Sequence, residues 1–152
     1  MANDIAKFNA FLFFKLPSAW WSGVRLKSMD AATAVVTVRH KWFNQNPFNS
    51  MFWAVQGMAA ELSTGAMVID QIKASGHNIS MLVANNKANF SKKATGLITF
   101  TCTDGAAIEK ALSNAIDSGT GQTFWMQSKG LNAQGVVVST FDFEWTVKIK
   151  NT

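Results

Sequence analysis

Positions 141–150 carry the clearest pattern in the chain. Phe141, Phe143, Trp145, Val147 and Ile149 alternate with Asp142, Glu144, Thr146, Lys148 and Lys150. A two-residue period marks a strand with one buried and one wet face. The same period predicts strands at Val24–Met29, where Val24 and Leu26 alternate with Arg25 and Lys27, and at Leu97–Thr103, where threonines alternate with Ile98, Phe100 and Cys102. Ala34–His40 is rich in Val and Thr and reads as the partner of the first strand across an Asp30-Ala31-Ala32 turn. Met81–Phe90 and Gln122–Leu131 complete the set, with SKKATG and Asn132–Gly135 as turns.

Three segments carry the helical period instead. Residues 3–15 form an amphipathic stretch that Pro17 is expected to stop, because proline disfavours helix at Leu16. Met51 to about Lys73 is the longest candidate and is apolar almost all round, so it is expected to be buried on most sides, with Gly76 as its stop. Gly57, Ala59, Ala60, Gly65 and Ala66 make its middle narrow enough for a sheet to approach closely. The third helix is expected to be capped by Asp104, to place Ile108, Ala111, Leu112 and Ala115 at helical spacing, and to end at Gly119-Thr120-Gly121.

The order is α-β-β-α-β-β-α-β-β, without internal repeat or linker. That predicts one domain over residues 1–152, with residues 1–16 as an N-terminal helix packed on it. Short connections imply a mostly antiparallel sheet, and a sheet with one buried helix is an α+β layout. The simplest arrangement curls the sheet around the long helix.

Composition narrows the chemistry. A single cysteine, Cys102, excludes an intramolecular disulfide and a zinc site of several thiolates. Tyrosine is absent, and two histidines, His40 and His77, are too few for a His-rich metal site; no metal is expected. The net charge of +5 comes from scattered cations, with Arg25, Lys27, Arg39 and Lys41 in one region and Lys87, Lys92 and Lys93 in another. Neither is a run of like charge, so nucleic acid is not an expected partner. A solvated face is the plain reading, and a phosphorylated small molecule the functional one. The apolar run near the N-terminus falls short of the about 20 residues that cross a membrane. It also lacks the order of a secretory signal, and a cytoplasmic address with no membrane contact is expected.

NQNPFNSMFWAVQGMAAELSTGAM, residues 44–67, resembles the turn and central helix of the hot-dog-fold thioesterases, and VANNKANFSKKATGLITFTC, residues 83–102, resembles their following hairpin, with Phe90, Lys92, Lys93, Ala94 and Gly96. The resemblance covers roughly residues 15–150 and is nearest to a branch of thioesterases filed as a domain of unknown function. It implies a hot-dog fold, a homodimer or dimer of dimers, and hydrolysis of an acyl-CoA or acyl-carrier thioester in pockets at the dimer interface. Coenzyme A enters as part of the substrate, and no cofactor is implied. Many members begin the central helix with His-Gly-Gly. Asn49-Ser50-Met51 stands there in this chain, and the register of the family's acid falls on Met58. One turn later is Glu61, the only acid between Asp30 and Asp70.

Thioester hydrolysis needs donors for the developing oxyanion and a base for water. The helix start near Asn49–Met51 is expected to supply N–H groups, with Asn46, Asn49 or Ser50 adding side-chain contacts; otherwise these are an N-cap and a turn. Glu61 is expected to be the base, raised in pKa by its apolar helical face, or else to accept structural hydrogen bonds. Thr64 orients water or Glu61, or bonds back to its own helix. Met51, Met58, Asn85 and Asn86 are expected to line the substrate site, and Lys92 and Lys93 to meet coenzyme A phosphates. The aromatics Trp20, Trp21, Trp42, Phe43, Phe48, Phe52 and Trp53 form an acyl groove, a dimer contact, or core. His40 and His77 read as turn or surface residues. The alternative to a thioesterase is a hot-dog protein that binds an acyl or aromatic ligand without turnover.

Overall fold

A close approach between one helix and one sheet organises the chain. The structure is a computed structural model that describes residues 2–150; Met1, Asn151 and Thr152 of the expected 1–152 domain lie outside the described residues. The strands are β1 (Arg25–Met29), β2 (Ala34–Arg39), β3 (Ile79–Phe90), β4 (Leu97–Cys102), β5 (Gln122–Leu131) and β6 (Val137–Ile149). They form one sheet in the order β1-β2-β4-β5-β6-β3, every neighbour antiparallel. The helices are α1 (Ala2–Lys15), α2 (Pro17–Trp21), α3 (Trp53–Ser75) and α4 (Gly105–Ser118). Helix α3 packs against β1, β2, β4, β5 and β6, so the sheet wraps it, as the α+β reading expects. Among the described residues no helix is long and apolar enough to cross a membrane.

The small residues of α3 make that wrapping possible. Ala59, Ala60 and Ala66 are fully buried, and so are Ser63 and Thr64. Their hydroxyls are satisfied without water: Ser63 Oγ donates to Ala60 O at 2.7 Å and shares a 2.7 Å bond with Ser128 Oγ of β5. The inward faces of β6 and β4 supply Phe141, Phe143, Trp145, Val147, Ile98 and Phe100 to the same core. Gly76 ends α3 with φ +69, the left-handed conformation that glycine adopts at little cost.

Several elements depart from the sequence expectation. Helix α3 begins at Trp53 instead of Met51, because Met51 donates its N–H to Ala94 O and bridges to Gln45. Pro17 stops α1 but opens the short helix α2, where its missing N–H costs nothing. Strand β3 starts two residues before Met81, at Ile79. Asp104 occupies the N-cap position of α4 without capping it; its Oδ2 accepts the Gln127 N–H of β5 at 2.7 Å.

The two edges of the sheet are treated differently. On β1 the side-chain amide of Asn9 mimics a neighbouring strand: its Nδ2 donates to Leu26 O at 2.9 Å and its Oδ1 accepts from Leu26 N at 3.0 Å. Helix α1 thus closes that edge. The 12-residue strand β3 has β6 on one side and no described strand on the other, and its residues from Asn85 to Phe90 are exposed. Asn9→Ala leaves both Leu26 groups unpaired and is expected to lower stability by about 1–3 kcal/mol, read from urea unfolding with an unchanged m-value.

Candidate functional site

Residues Trp53, Ala54, Gly57, Met58 and Glu61 fall on one stripe of α3 and line a cavity of about 340 Å³. Its other walls are Leu16 between α1 and α2, Asn86 of β3, and Phe141 and Phe143 of β6. The two phenylalanines stack nearly parallel, 6.0 Å apart at 6°, because alternate residues of a strand share a face. Glu61 and Asn86 are the only carboxylate and amide side chains in this lining.

The Glu61 carboxylate makes no hydrogen bond or ion pair with another described residue, and burial pushes its pKa from 4.5 up to about 7. Oε1 lies 3.2 Å from the point where a β-carbon on Gly65 would stand. The six-membered ring of Trp145 comes within 3.1 Å of that same point. Thr64 does not reach the carboxylate. Its Oγ1 donates to the backbone oxygen of Glu61 at 2.9 Å and accepts the indole N–H of Trp145 at 3.0 Å.

The segment before α3 is a closed turn, and its donors are already engaged. Asn46 Oδ1 accepts the N–H groups of Phe48 and Ser50, and Asn46 Nδ2 donates to Ser50 Oγ at 2.9 Å. Asn49 donates its N–H to Asn46 O and adopts φ 57, a conformation asparagine tolerates; its side chain is exposed. The expected backbone donors of Asn49, Ser50 and Met51 are therefore all paired within the fold. Phe52 is the N-cap and donates to Asn44 O. The first-turn amides of Trp53 and Ala54 are the ones with no intrahelical partner, and both residues line the cavity.

A second concavity of about 530 Å³ adjoins the first across Trp53. The turn residues Asn46, Ser50 and Met51 line it, with the rings of Phe48, Phe52 and Phe90 and the lysines Lys92 and Lys93. Lys93 Nζ donates to Phe48 O at 3.2 Å, while the exposed Lys92 makes no side-chain bond with a described residue. Gln56, which carries no role in the sequence analysis, is 4% exposed in this wall. Its Nε2 donates to Met51 O at 3.3 Å and its Oε1 is buried without a partner. The sequence signal for it is the one amide on an otherwise apolar helical segment.

Several candidates lie elsewhere. Asn85 follows the bulge in β3, pairs with Glu144 and donates to its Oε2 at 3.3 Å on the outer face, so it leaves the cavity to Asn86. Trp20 packs beneath the Arg25 guanidinium, and Trp21, Trp42 and Phe43 are exposed outside both concavities. His77 is exposed and bonded to Ser75 O, and neither it nor His40 lines either space. A wider groove of about 620 Å³ between the end of α3 and α4 holds none of the candidates, and its acids Glu109 and Asp117 are exposed. Among the described residues no three His, Cys, Asp or Glu side chains gather to hold a metal ion.

The half-buried, unpaired carboxylate has a cost with a definite sign. Below pH 4.5 Glu61 is protonated in both folded and unfolded chains. Between 4.5 and about 7 only the unfolded chain ionises it, so stability falls as pH rises, and the full penalty is present above 7. Glu61→Gln is expected to be more stable than the parent at pH 8, by up to about 3 kcal/mol, with no gain at pH 4, in urea unfolding at the two pH values.

No curated protein matches the sequence. The fold is similar to that of a Pseudomonas aeruginosa protein of unknown function described as a probable thioesterase, at 18% identity and TM-score 0.82, over 95% of this chain and 96% of that one. A second Pseudomonas aeruginosa structure, a thioesterase with a Gln replaced by Ala, matches at 14% identity and TM-score 0.75, over 96% and 94%. A Staphylococcus aureus thioesterase, also with a Gln replaced by Ala, matches at 13% identity and TM-score 0.64, over 82% and 93%. At these identities the likeness establishes the hot-dog fold. The model of one family, described as a domain of unknown function (DUF4442), matches residues 5–147. The chain therefore belongs to the DUF4442 family, a domain of unknown function, and has the hot-dog fold.

Proposed function

We propose that this protein is a thioesterase that hydrolyses an acyl thioester carried on coenzyme A or an acyl carrier, with Glu61 as the base that activates water. The observation that carries the reading is the unpaired Glu61 carboxylate in a mostly apolar cavity. Its pKa of about 7 leaves it half ionised at neutral pH, where a general base works best. Phe141, Phe143, Met58 and Leu16 offer an apolar wall to the acyl chain, and Asn86 offers an amide to the carbonyl end. The basic rim at Lys92 suits the phosphates of coenzyme A.

In this reading water loses its proton to Glu61 and adds to the thioester carbon. The oxyanion is held by backbone N–H groups at a helix start. Collapse of the tetrahedral adduct breaks the C–S bond, and Glu61 returns its proton to the thiolate, leaving an acid and a thiol.

The helix start and the base stand well apart along α3. Trp53 precedes Glu61 by eight residues, about 12 Å along the helix, and its N–H points outward from the end. In this reading the site is completed by a second copy, one chain giving Trp53 and Ala54 and the other Glu61. The open edge of β3 suits antiparallel pairing of two copies, since Asn9 closes the opposite edge. The Staphylococcus aureus protein has been crystallised with a Gln and, separately, a Glu replaced by Ala, fifteen positions apart. Asn46 and Glu61 have the same separation. Asn46 is spent on its own turn, which leaves Glu61 as the member of that pair with free chemistry.

The engaged donors of Asn46, Ser50 and Met51 favour a second reading, a binder of acyl ligands without turnover. Hydrolysis of an acyl-CoA panel separates the two. Glu61→Gln is expected to lose at least about 100-fold in kcat, and Ala54→Pro, which removes one first-turn N–H, a similar amount. Asn49→Ala stays near the parent rate. Mixed dimers of one Glu61→Gln chain and one Ala54→Pro chain regain about half the parent activity per dimer if the site is shared between copies, and none if it lies within one. Acyl-CoA binding with no hydrolysis by the parent protein establishes the second reading.

A further inference from the structure

We infer that Trp145 is the positioning residue of this site: its indole, tied to Thr64 and seated against Gly65, holds the Glu61 carboxylate toward the cavity and keeps donors and water from its inner side. The inference rests on Glu61 as the base, and assigns a role to residues outside that reading.

The geometry has three linked parts. Trp145 is fixed in mid-sheet, paired with Phe124 of β5 and Val83 of β3, and is 3% exposed. Its single side-chain donor, the indole N–H, is consumed by Thr64 Oγ1 at 3.0 Å, and the Thr64 hydroxyl proton goes to the backbone oxygen of Glu61 at 2.9 Å. The ring edge that faces Gly65, on the side where Oε1 also lies, is carbon only. Gly65 leaves the space that both this edge and Oε1 border, each within 3.2 Å of where its β-carbon would stand. Any larger residue at position 65 displaces one of them.

Glu61 is consequently governed by dryness. From α3 itself the nearest acid is the exposed Asp70, more than two turns on. From β3, Asn86 is neutral and Lys87 lies over Trp125 on the outer face, 5.3 Å from its ring. From β6, Asp142 and Glu144 are bonded to Gln127 and Asn85 on that same outer face. Between α1 and α2, Leu16 faces the cavity and its neighbour Lys15 is exposed. Burial is the cause of the raised Glu61 pKa, which fits a base set by an indole rather than by a charge.

The test titrates the Glu61 carboxyl carbon by ¹³C NMR, assigned against Glu61→Gln, alongside the pH profile of kcat/KM on an acyl-CoA. Trp145→Phe removes the ring edge that faces Gly65. Thr64→Val leaves the ring but frees its N–H to turn to the carboxylate. Both are expected to lower the Glu61 midpoint by about one pH unit or more, while Thr64→Ser, which keeps the hydroxyl, retains the parent value. The acid limb of the rate profile moves with the midpoint, and KM changes far less than it would in a damaged pocket. An unmoved midpoint in folded Trp145→Phe and Thr64→Val protein overturns the inference; should Trp145→Phe fail to fold, Thr64→Val decides alone. A midpoint that moves while the rate profile stays put upholds the hold of Trp145 on Glu61 and rejects Glu61 as the base.

Discussion

The distance at which α3 lies against the sheet is the constraint on which the rest of the molecule depends. It is set by the small residues of the helix and by one large residue of β6. Ala59, Ala60, Ser63 and Ala66 let the sheet close around the helix, and Trp145 fills the space opposite Gly65, 3.1 Å from where a β-carbon would stand. A tryptophan buried this deeply contributes several kcal/mol of burial free energy on its own. The contact also has a polar side, because the indole N–H needs an acceptor and Thr64 provides it. The same few atoms therefore settle helix position, sheet curvature and the surroundings of Glu61.

This packing leaves a carboxylate where folding does not want one. Glu61 has no partner among the described residues, so its ionised form is disfavoured by burial alone. That is a cost to stability above neutral pH and an advantage to proton transfer at it. Proteins commonly carry such costs at working sites. The rest of the candidate site is arranged around this group: a stacked pair of phenylalanines, one neutral amide from β3, and a helix start whose first two N–H groups have no intrahelical partner.

Much of this is legible in the sequence, for identifiable reasons. The alternation along 141–149 and the small, apolar helix are strong periodic signals, and together they imply a sheet wrapped around a helix. Glu61 stands out as the only acid between Asp30 and Asp70. The helix start is not legible. Asn49-Ser50 before an apolar run looks like a cap, yet the Asx turn built on Asn46 takes those donors and delays the helix to Trp53. Asp104 looks like a cap for the same reason and is spent on the Gln127 amide across the sheet. Asn85 and Asn86 are neighbours in sequence and opposites in space, because consecutive strand residues face opposite ways. The pairing of Trp145 with Thr64 spans 81 residues and has no sequence signature.

Whether Glu61 is the base is decided by the pH dependence of kcat/KM on the best acyl-CoA substrate. A desolvated Glu61 base gives a single acid limb with its midpoint near pH 7, coincident with the titration of Glu61 and absent from the residual rate of Glu61→Gln. A rate that is flat from about pH 5.5 to 8.5, or a limb that survives unchanged in Glu61→Gln, would contradict it.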